Sequence, residues 1–304
     1  MGTTEPRGVG VYTMALGDKW HGSPTAAAKK ASDHGVSFVA LLACWQDMRK
    51  KGKVGPMVFH HGDANRKDNA LLRYAEAFNA QGIDVWLWGF PWAGAEERFI
   101  ASMASATEMC PNLISGWLFD PELGYKWKGK NQSSLSMRGQ PEALTNISMS
   151  GTKAVRSKQA KKLMELAVNA IGERLGLGVT SYGMAKYHPN FPWAEFGGYG
   201  FGSPQLYSVG PQQVDQGIQQ WREHGWKTII PSVPTFGNND GEKLHNHLSS
   251  FVDGHEDISG FIFWVWRATS SKRGSAGRGV SEWDILARWA DWLARGACAL
   301  APRP

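Results

Sequence analysis

Short apolar segments alternate with longer amphipathic ones along the whole chain of 304 residues. The short segments are rich in Val, Ile, Leu, Trp or Phe, and the longer ones repeat apolar residues at helical spacing, as in residues 157–175. This alternation is typical of β-α units built around a parallel sheet. Eight such units in a chain of this length predict a single (β/α)8 TIM barrel, one domain over residues 1–304. The predicted strands are residues 8–14, 37–43, 84–89, 113–119, 177–182, 201–207, 227–232 and 260–266.

The connections between the predicted strands contain two informative features. Ser23 followed by Pro24 is typical of a helix N-cap with proline in the first turn. The longest irregular stretch, residues 123–156, is polar and follows the fourth predicted strand directly. Loops of this length in compact domains commonly serve function. We expect this loop to form a wall or lid over a site at the barrel mouth.

Two carboxylates follow the fourth predicted strand, in the segment Gly-Trp-Leu-Phe-Asp-Pro-Glu that ends at Glu122. Asp120 and Glu122 are two residues apart, which places them on one face of an extended strand. Because neighbouring carboxylates repel, one pKa rises while the other stays low, as a proton donor and a charged partner require. The alternative is a pair of solvated acids in a turn formed by Pro121.

Fifteen tryptophans form the second informative feature, since several lie at the carboxyl ends of predicted strands. Active sites of TIM barrels are built at that face. Flat aromatic faces suit sugar rings, although the same side chains could instead fill the barrel interior. The residues predicted to bind substrate at this face are Trp45, Gln46, Trp88, Trp92, Tyr182, Gln205, Trp264, Trp266 and Arg267.

The net charge of +6 is spread along the chain, which disfavours a nucleic-acid partner and fits an anionic polysaccharide such as a bacterial cell wall. No run of 18 apolar residues and no apolar leader is present, which predicts a protein made in the cytoplasm without a signal peptide or membrane span. The three cysteines, Cys44, Cys110 and Cys298, have no metal-like spacing and suggest buried thiols. His60 and His61 lack further ligands at a recognised spacing, so we expect neither a metal nor a cofactor.

The segment containing both carboxylates resembles the fourth-strand motif of the chitinase-like glycoside hydrolases of family 18, Asp-Gly-x-Asp-x-Asp-x-Glu. It is similar, more loosely, to the Asp-x-Glu strand of family 25 lysozymes, although residues 8–16 contain no counterpart of that family's strand-1 aspartate. Gly116, Asp120 and Glu122 match the family 18 motif. Ser115 and Leu118 occupy the positions of its two earlier aspartates.

Two later segments resemble the same family in the expected order. Gln205-Leu206-Tyr207 resembles its Met-x-Tyr-Asp strand, with Gln205 in place of Met and Ser208 in place of Asp. Residues 260–266 resemble the closing strand, which supplies a tryptophan beneath the sugar.

The resemblance implies retaining hydrolysis beside an N-acetylated sugar. It implies that Glu122 protonates the glycosidic oxygen and that Asp120 orients and stabilises the substrate's 2-acetamido group during its attack on the anomeric carbon. It implies that Tyr207 holds the acetamido oxygen.

Two functions of different classes follow. The first is a glycoside hydrolase cleaving β-1,4 linkages of an amino-sugar polymer, peptidoglycan first and chitin second, as a phage lytic enzyme or as part of a virion. The second is a catalytically inactive barrel that binds carbohydrate or serves as a structural component of a larger particle. Asp120, Glu122 and Tyr207 favour the first, whereas Ser115 and Leu118 favour the second.

Overall fold

The computed structural model describes residues 5–13, 16, 22–46, 57–59, 69–127, 151–172, 174–207, 211–234, 258–264, 283, 286–287 and 290–291. The strands within these residues are β1 (Gly8–Thr13), β2 (Val36–Gln46), β3 (Met57–Phe59), β4 (Asp84–Gly89), β5 (Gly116–Phe119), β6 (Gly176–Tyr182), β7 (Phe201–Gln205), β8 (Thr228–Ile229), β9 (Ser232–Pro234) and β10 (Gly260–Trp264). The helices are α1 (Pro24–Asp33), α2 (Ala70–Asn79), α3 (Glu96–Met109), α4 (Lys153–Ile171), α5 (Trp193–Phe196) and α6 (Pro211–Glu223). Short 3-10 turns span Leu123–Tyr125 and Ala185–Tyr187.

The strands close into an eight-position parallel barrel. Going round it, β1 pairs with β2, then β4, β5, β6 and β7 follow, and β9 and β10 lead back to β1. The short strand β8 pairs with β7 just before β9, so β8 and β9 together occupy one barrel position. Strand β3 pairs antiparallel with the end of β2. The closed ring with helices between its strands confirms the predicted (β/α)8 fold.

The break between β8 and β9 corrects the predicted continuous strand at residues 227–232. Pro231 lies in the break, and its nitrogen has no hydrogen to give to a sheet ladder. Its carbonyl oxygen still accepts a hydrogen bond from Ile262 N at 2.9 Å, so the barrel stays closed there.

Several predicted boundaries also change. β5 begins at Gly116, because the preceding residues form a turn in which Leu113 N donates to Cys110 O. α4 begins at Lys153, capped by the Thr152 hydroxyl, so the predicted long loop ends before residue 156. Residues 128–150 of that loop lie outside the described residues. The predicted N-cap at Ser23 is confirmed, since its hydroxyl accepts from Ala26 N at 3.3 Å.

Two apolar layers lie on either side of the barrel wall. The outer layer packs the strands against the helices, and the inner layer fills the barrel with aromatic and aliphatic side chains. Glycines make room for the inner rings: a Cβ on Gly116 would lie 2.4 Å from the Trp86 ring, and one on Gly178 would lie 2.3 Å from the Phe201 ring. Because the interior is packed, polar chemistry is confined to the barrel ends.

Within the described part of the chain, no helix has the length and apolar character needed to cross a membrane.

Candidate active site

The two predicted acids lie just beyond the end of β5, at the carboxyl-terminal mouth of the barrel. They are therefore in the loop rather than on the strand, which corrects the sequence prediction. Asp120 N continues the strand pairing by donating to Gly89 O at 3.0 Å, and the residue is only 3% exposed. Glu122 is partly exposed, and its carbonyl oxygen accepts from Tyr125 N at 3.0 Å, which closes the 3-10 turn that follows.

Gln205, the last residue of β7, binds the buried acid. Its Nε2 donates to Asp120 Oδ1 at 2.9 Å. In the sheet register, Gln205 lies level with Tyr182 at the end of β6 and with Ser232 at the start of β9. The barrel thus brings the ends of β5, β6 and β7 and the start of β9 together around the carboxyl groups.

The pKa values of both acids are raised, which corrects the expectation that one of them stays low. Burial, reinforced by the nearby charge of Glu122, raises the pKa of Asp120 well above its usual range, although the Gln205 hydrogen bond opposes the shift. Burial also raises the pKa of Glu122, but Gln205, the positive charge of Lys126 and contact with Asp120 counteract this. The pair therefore holds a proton to higher pH than isolated carboxyls would, as a general acid at neutral pH requires.

Tyr207 lies in the same cluster as the two acids. Burial raises its pKa, with further contributions from Tyr12, Asp120 and Glu122, while a hydrogen bond to Ser232 lowers it. The structure therefore brings all three residues that the sequence proposes as catalytic into one region.

A buried chain of hydroxyl groups lies beneath this cluster. Tyr12 OH lies 3.3 Å from Ser232 Oγ, and Ser232 Oγ lies 2.7 Å from Ser203 Oγ. Thr180 Oγ1 donates to Ser203 O at 2.8 Å. These residues were not proposed from the sequence. The sequence feature that could have identified them is a polar residue at an inward-facing position near the end of an otherwise apolar strand.

Trp264, at the end of the described part of β10, contributes an aromatic wall. Its ring is partly exposed and stacks on Tyr207 with centroids 6.1 Å apart. Edge contacts with Tyr12 at 5.2 Å and Trp88 at 5.3 Å hold it in place. Trp264 therefore lies beside Tyr207 and is partly exposed, so part of its surface is open to a ligand.

Trp88 does not occupy the sugar-facing position that the sequence predicts. Its side chain is fully buried in the barrel interior, and its Nε1 donates to Thr13 O at 3.0 Å. Because its ring also contacts Tyr12 and Trp264, Trp88 supports the aromatic wall and offers no surface to a ligand. Trp88 occupies an inward-facing strand position. Such positions fill the packed interior of a barrel, which is why the ring is buried and does not face a sugar.

Tyr182, at the end of β6, borders the acids on another side. Its pKa is raised by burial and by the charges of Glu122 and Asp120. Its hydroxyl is buried without a hydrogen-bond partner among the described residues. The ring stacks on His188 with centroids 3.8 Å apart, and Lys126 Nζ lies 4.0 Å from the ring centroid. Lys126 and His188 were not proposed from the sequence.

The structure says less about the other residues that were predicted to bind substrate. Trp92 is half-buried, and its ring packs against Gly124 in the turn after Glu122. Trp45 and Gln46 belong to β2, but their side chains lie outside the described residues, as do Trp266 and Arg267 entirely.

The described residues contain no group of three or more His, Cys, Asp or Glu side chains arranged to hold a metal ion. His60, His61 and Cys298 lie outside those residues. Cys44 and Cys110 are buried free thiols, and burial raises the pKa of both, which makes them poor nucleophiles.

Comparison with known proteins finds similarity in structure alone. No protein-family model matches the sequence. No curated protein matches it either. A GH18 chitinase from Pseudoalteromonas aurantia superposes with a TM-score of 0.60 at 12% identity, covering 95% of this chain and 99% of that one. A chitinase from Chromobacterium violaceum gives a TM-score of 0.58 at 11% identity, covering 98% and 100% of the two chains. The spore cortex-lytic enzyme SleL of Bacillus megaterium gives 0.55 at 8% identity, covering 94% and 74%.

At these identities the similarity concerns the fold. The protein is thus a (β/α)8 barrel whose fold overlaps the two chitinases over nearly their full length. One buried and one partly exposed acid lie at its mouth, where TIM-barrel active sites are found.

Proposed function

We propose that this protein is a retaining glycoside hydrolase that cleaves β-1,4 linkages in an N-acetylated amino-sugar polymer, with peptidoglycan as the first substrate and chitin as the second. The observation that carries the proposal is the Asp120–Glu122 pair. The two carboxyl groups influence each other's pKa values and lie near Gln205 and Tyr207. Solved barrels of similar fold include chitinases and a spore cortex-lytic enzyme, which supports this substrate class.

In the proposed reaction, Glu122 transfers its proton to the glycosidic oxygen as the bond to the leaving sugar breaks. The acetamido oxygen of the retained sugar attacks the anomeric carbon, forming a cyclic intermediate, and Asp120 faces the nitrogen of that group. Deprotonated Glu122 then removes a proton from a water molecule that attacks the same carbon, the bond from that carbon to the acetamido oxygen breaks, and the configuration is retained. Tyr207 donates a hydrogen bond to the acetamido oxygen.

The surroundings fit these steps. Gln205 holds Asp120 at a defined position through its hydrogen bond, so the carboxyl does not have to reorganise when the sugar arrives. Trp264 offers a partly exposed ring next to Tyr207, on which the apolar face of a sugar packs. The buried Tyr182 hydroxyl, which has no hydrogen-bond partner among the described residues, is a further donor next to the acid pair.

An inactive carbohydrate-binding barrel is the second candidate, and one observation favours it. Leu118, at the position of a family 18 aspartate, is buried among the aromatic side chains of the barrel interior. A relay of protons from Asp120 into the barrel through that position is therefore absent, so turnover depends on Asp120 and Glu122 with their present neighbours.

Hydrolysis by matched variants tests the proposal. Purified wild type, Glu122→Gln and the control Glu165→Gln, an exposed residue of α4, are incubated with peptidoglycan and with chitin. New reducing ends should appear with wild type and control, and mass spectrometry of the fragments identifies the sugar and the cleaved bond. Glu122→Gln should lose a factor on the order of 10² to 10⁴. Wild-type rates in Glu122→Gln would exclude the mechanism. A wild type that binds both polymers and cleaves neither would establish the inactive alternative.

Origin in a phage particle or release by host lysis belongs to the same proposal. Activity on peptidoglycan from intact bacterial walls, with none on chitin, would support it.

A further inference from the structure

A buried lysine follows the 3-10 turn that begins directly after the proposed acid. Lys126 is 4% exposed and follows Glu122 by four residues, across the 3-10 turn Leu123–Tyr125. The turn is closed by the hydrogen bond from Tyr125 N to Glu122 O. The turn therefore sets the separation of the two residues along the backbone.

Residues from the next barrel unit hold the lysine side chain. Lys126 Nζ lies 2.7 Å from His188 Nδ1 and 4.0 Å from the centre of the Tyr182 ring. His188 stacks on the same ring with centroids 3.8 Å apart. The backbone alongside is fixed as well, since Asn190 and Trp127 exchange hydrogen bonds at 2.7 and 3.1 Å.

The protonation states of this cluster suit a fixed cation. Burial lowers the pKa of Lys126 to about 8, while the charge of Glu122 raises it, so the lysine is charged at neutral pH. Burial and the Lys126 charge lower the pKa of His188 to about 4, so the imidazole is neutral and its Nδ1 accepts a hydrogen bond from the Lys126 ammonium group. Within the described part of the chain, three titratable groups face Lys126. Glu122 lies on the same loop and also interacts with Asp120. Tyr182 at the end of β6 and His188 in the loop after it contact the ammonium group directly.

We propose that Lys126, anchored by His188, is a positioning residue that stabilises the negative charge which Glu122 acquires as it gives its proton to the leaving group. The proposal rests on the glycosidase function proposed above. Because the charge on Glu122 develops only during bond cleavage, a fixed cation beside it favours the transition state over the bound substrate. The same cation keeps the Glu122 proton transferable in a site where burial alone would hold it too tightly.

Kinetics of Lys126 variants provide the first test. Lys126→Met keeps the length of the side chain and removes the charge, and kcat should fall roughly 10- to 100-fold with KM nearly unchanged. The basic limb of the kcat/KM profile should move to higher pH, because loss of the cation raises the pKa of Glu122. Lys126→Arg should recover part of the rate. Lys161→Met, on the exposed face of α4, is the control and should be silent.

His188→Phe separates anchoring from charge, since phenylalanine keeps the stacking on Tyr182 and removes the Nδ1 acceptor. We expect a smaller fall in kcat than in Lys126→Met, in the same direction. Unchanged kcat and pH profile in both Lys126→Met and His188→Phe would overturn the proposal.

An NMR titration of the ligand-free chain tests the coupling independently of turnover. Removing the cation in Lys126→Met should raise the pKa values of both His188 and Glu122. Unchanged titrations would overturn the positioning role even if the wild type cleaves amino-sugar polymers. Shifted titrations in a wild type that cleaves no polymer would reject the glycosidase function and leave the electrostatic coupling standing.

Discussion

Gln205 Nε2 and Asp120 Oδ1 are joined by a 2.9 Å hydrogen bond across 85 positions of sequence. Asp120 follows β5 and Gln205 ends β7. Because β6 lies between these two strands, the hydrogen bond spans the end of β6 at the barrel mouth. It links two features that the sequence suggested separately, the Asp-Pro-Glu segment and the Gln-Leu-Tyr segment. Both belong to one site because β5, β6 and β7 pair side by side in parallel, which brings their carboxyl ends together.

Loss of this hydrogen bond should change the pH dependence of the reaction. In Gln205→Leu, both Asp120 and Glu122 lose an interaction that lowers their pKa values. The bell-shaped kcat/KM profile should therefore move to higher pH as a coupled unit, and hydrolysis should fall about tenfold or more. Rates measured between pH 4 and 9 check this. Gln219→Leu, on the exposed face of α6, should keep the wild-type profile.

Asp120 should reduce stability at neutral pH. Its folded-state pKa is raised, so between the unfolded value near 4 and the folded value the native state holds more protons than the unfolded state. Stability conferred by the protonated group therefore falls as the pH rises through that window. Asp120→Asn should raise the free energy of unfolding at pH 7 and change it little at pH 4, as urea titrations at the two values would measure.

Asp33→Asn is the matched control for that experiment, because Asp33 lies on the surface of α1. Equal destabilisation of Asp120→Asn at both pH values would contradict the linkage. Asp120→Asn should also lose hydrolysis. A variant that gains stability and loses activity would identify the acid pair as a site where activity is maintained at a cost in stability.

Introducing an aspartate at position 118, as in the family 18 motif, should not improve catalysis. Leu118 is 1% exposed and packs within the cluster that contains Trp86, Trp88 and Phe201. A carboxyl there would be buried without a partner, so Leu118→Asp should lose roughly 3 kcal/mol or more of stability. Leu118→Met should cost less than about 1.5 kcal/mol. Denaturant unfolding measures both, and a stable, more active Leu118→Asp would show that the interior accepts a relay.

Trp264 should contribute to substrate affinity rather than to chemistry. Trp264→Ala removes the partly exposed ring beside Tyr207, and oligosaccharide binding should weaken about tenfold. Calorimetry with amino-sugar oligosaccharides in a Glu122→Gln background measures affinity without turnover. Unchanged affinity, with thermal unfolding like that of the parent, would remove Trp264 from the binding surface.

Local pattern predicted much of this protein. Alternation of apolar strands and amphipathic helices led to the barrel, because a period of two and a period of 3.6 residues are both readable in short windows. The Ser23 N-cap was readable for the same reason, since an N-cap depends on a few neighbouring residues. The placement of Asp120 and Glu122 at the barrel mouth also followed, because side chains at the carboxyl end of a barrel strand face the site region.

The sequence by itself thus determined the alternation of strands and helices, the closed barrel and the placement of Asp120 and Glu122 after a strand end, but not β3 or the break between β8 and β9. Tertiary structure alone decided that Trp88 is buried, that Leu118 fills the interior, and that Lys126 meets His188. It also decided the hydroxyl chain from Tyr12 to Ser203, whose members lie on different strands. These relations depend on barrel closure and on the register between strands, which join side chains far apart in sequence. Desolvation within that closed arrangement then raises the pKa values of the acid pair, an effect that no local pattern contains.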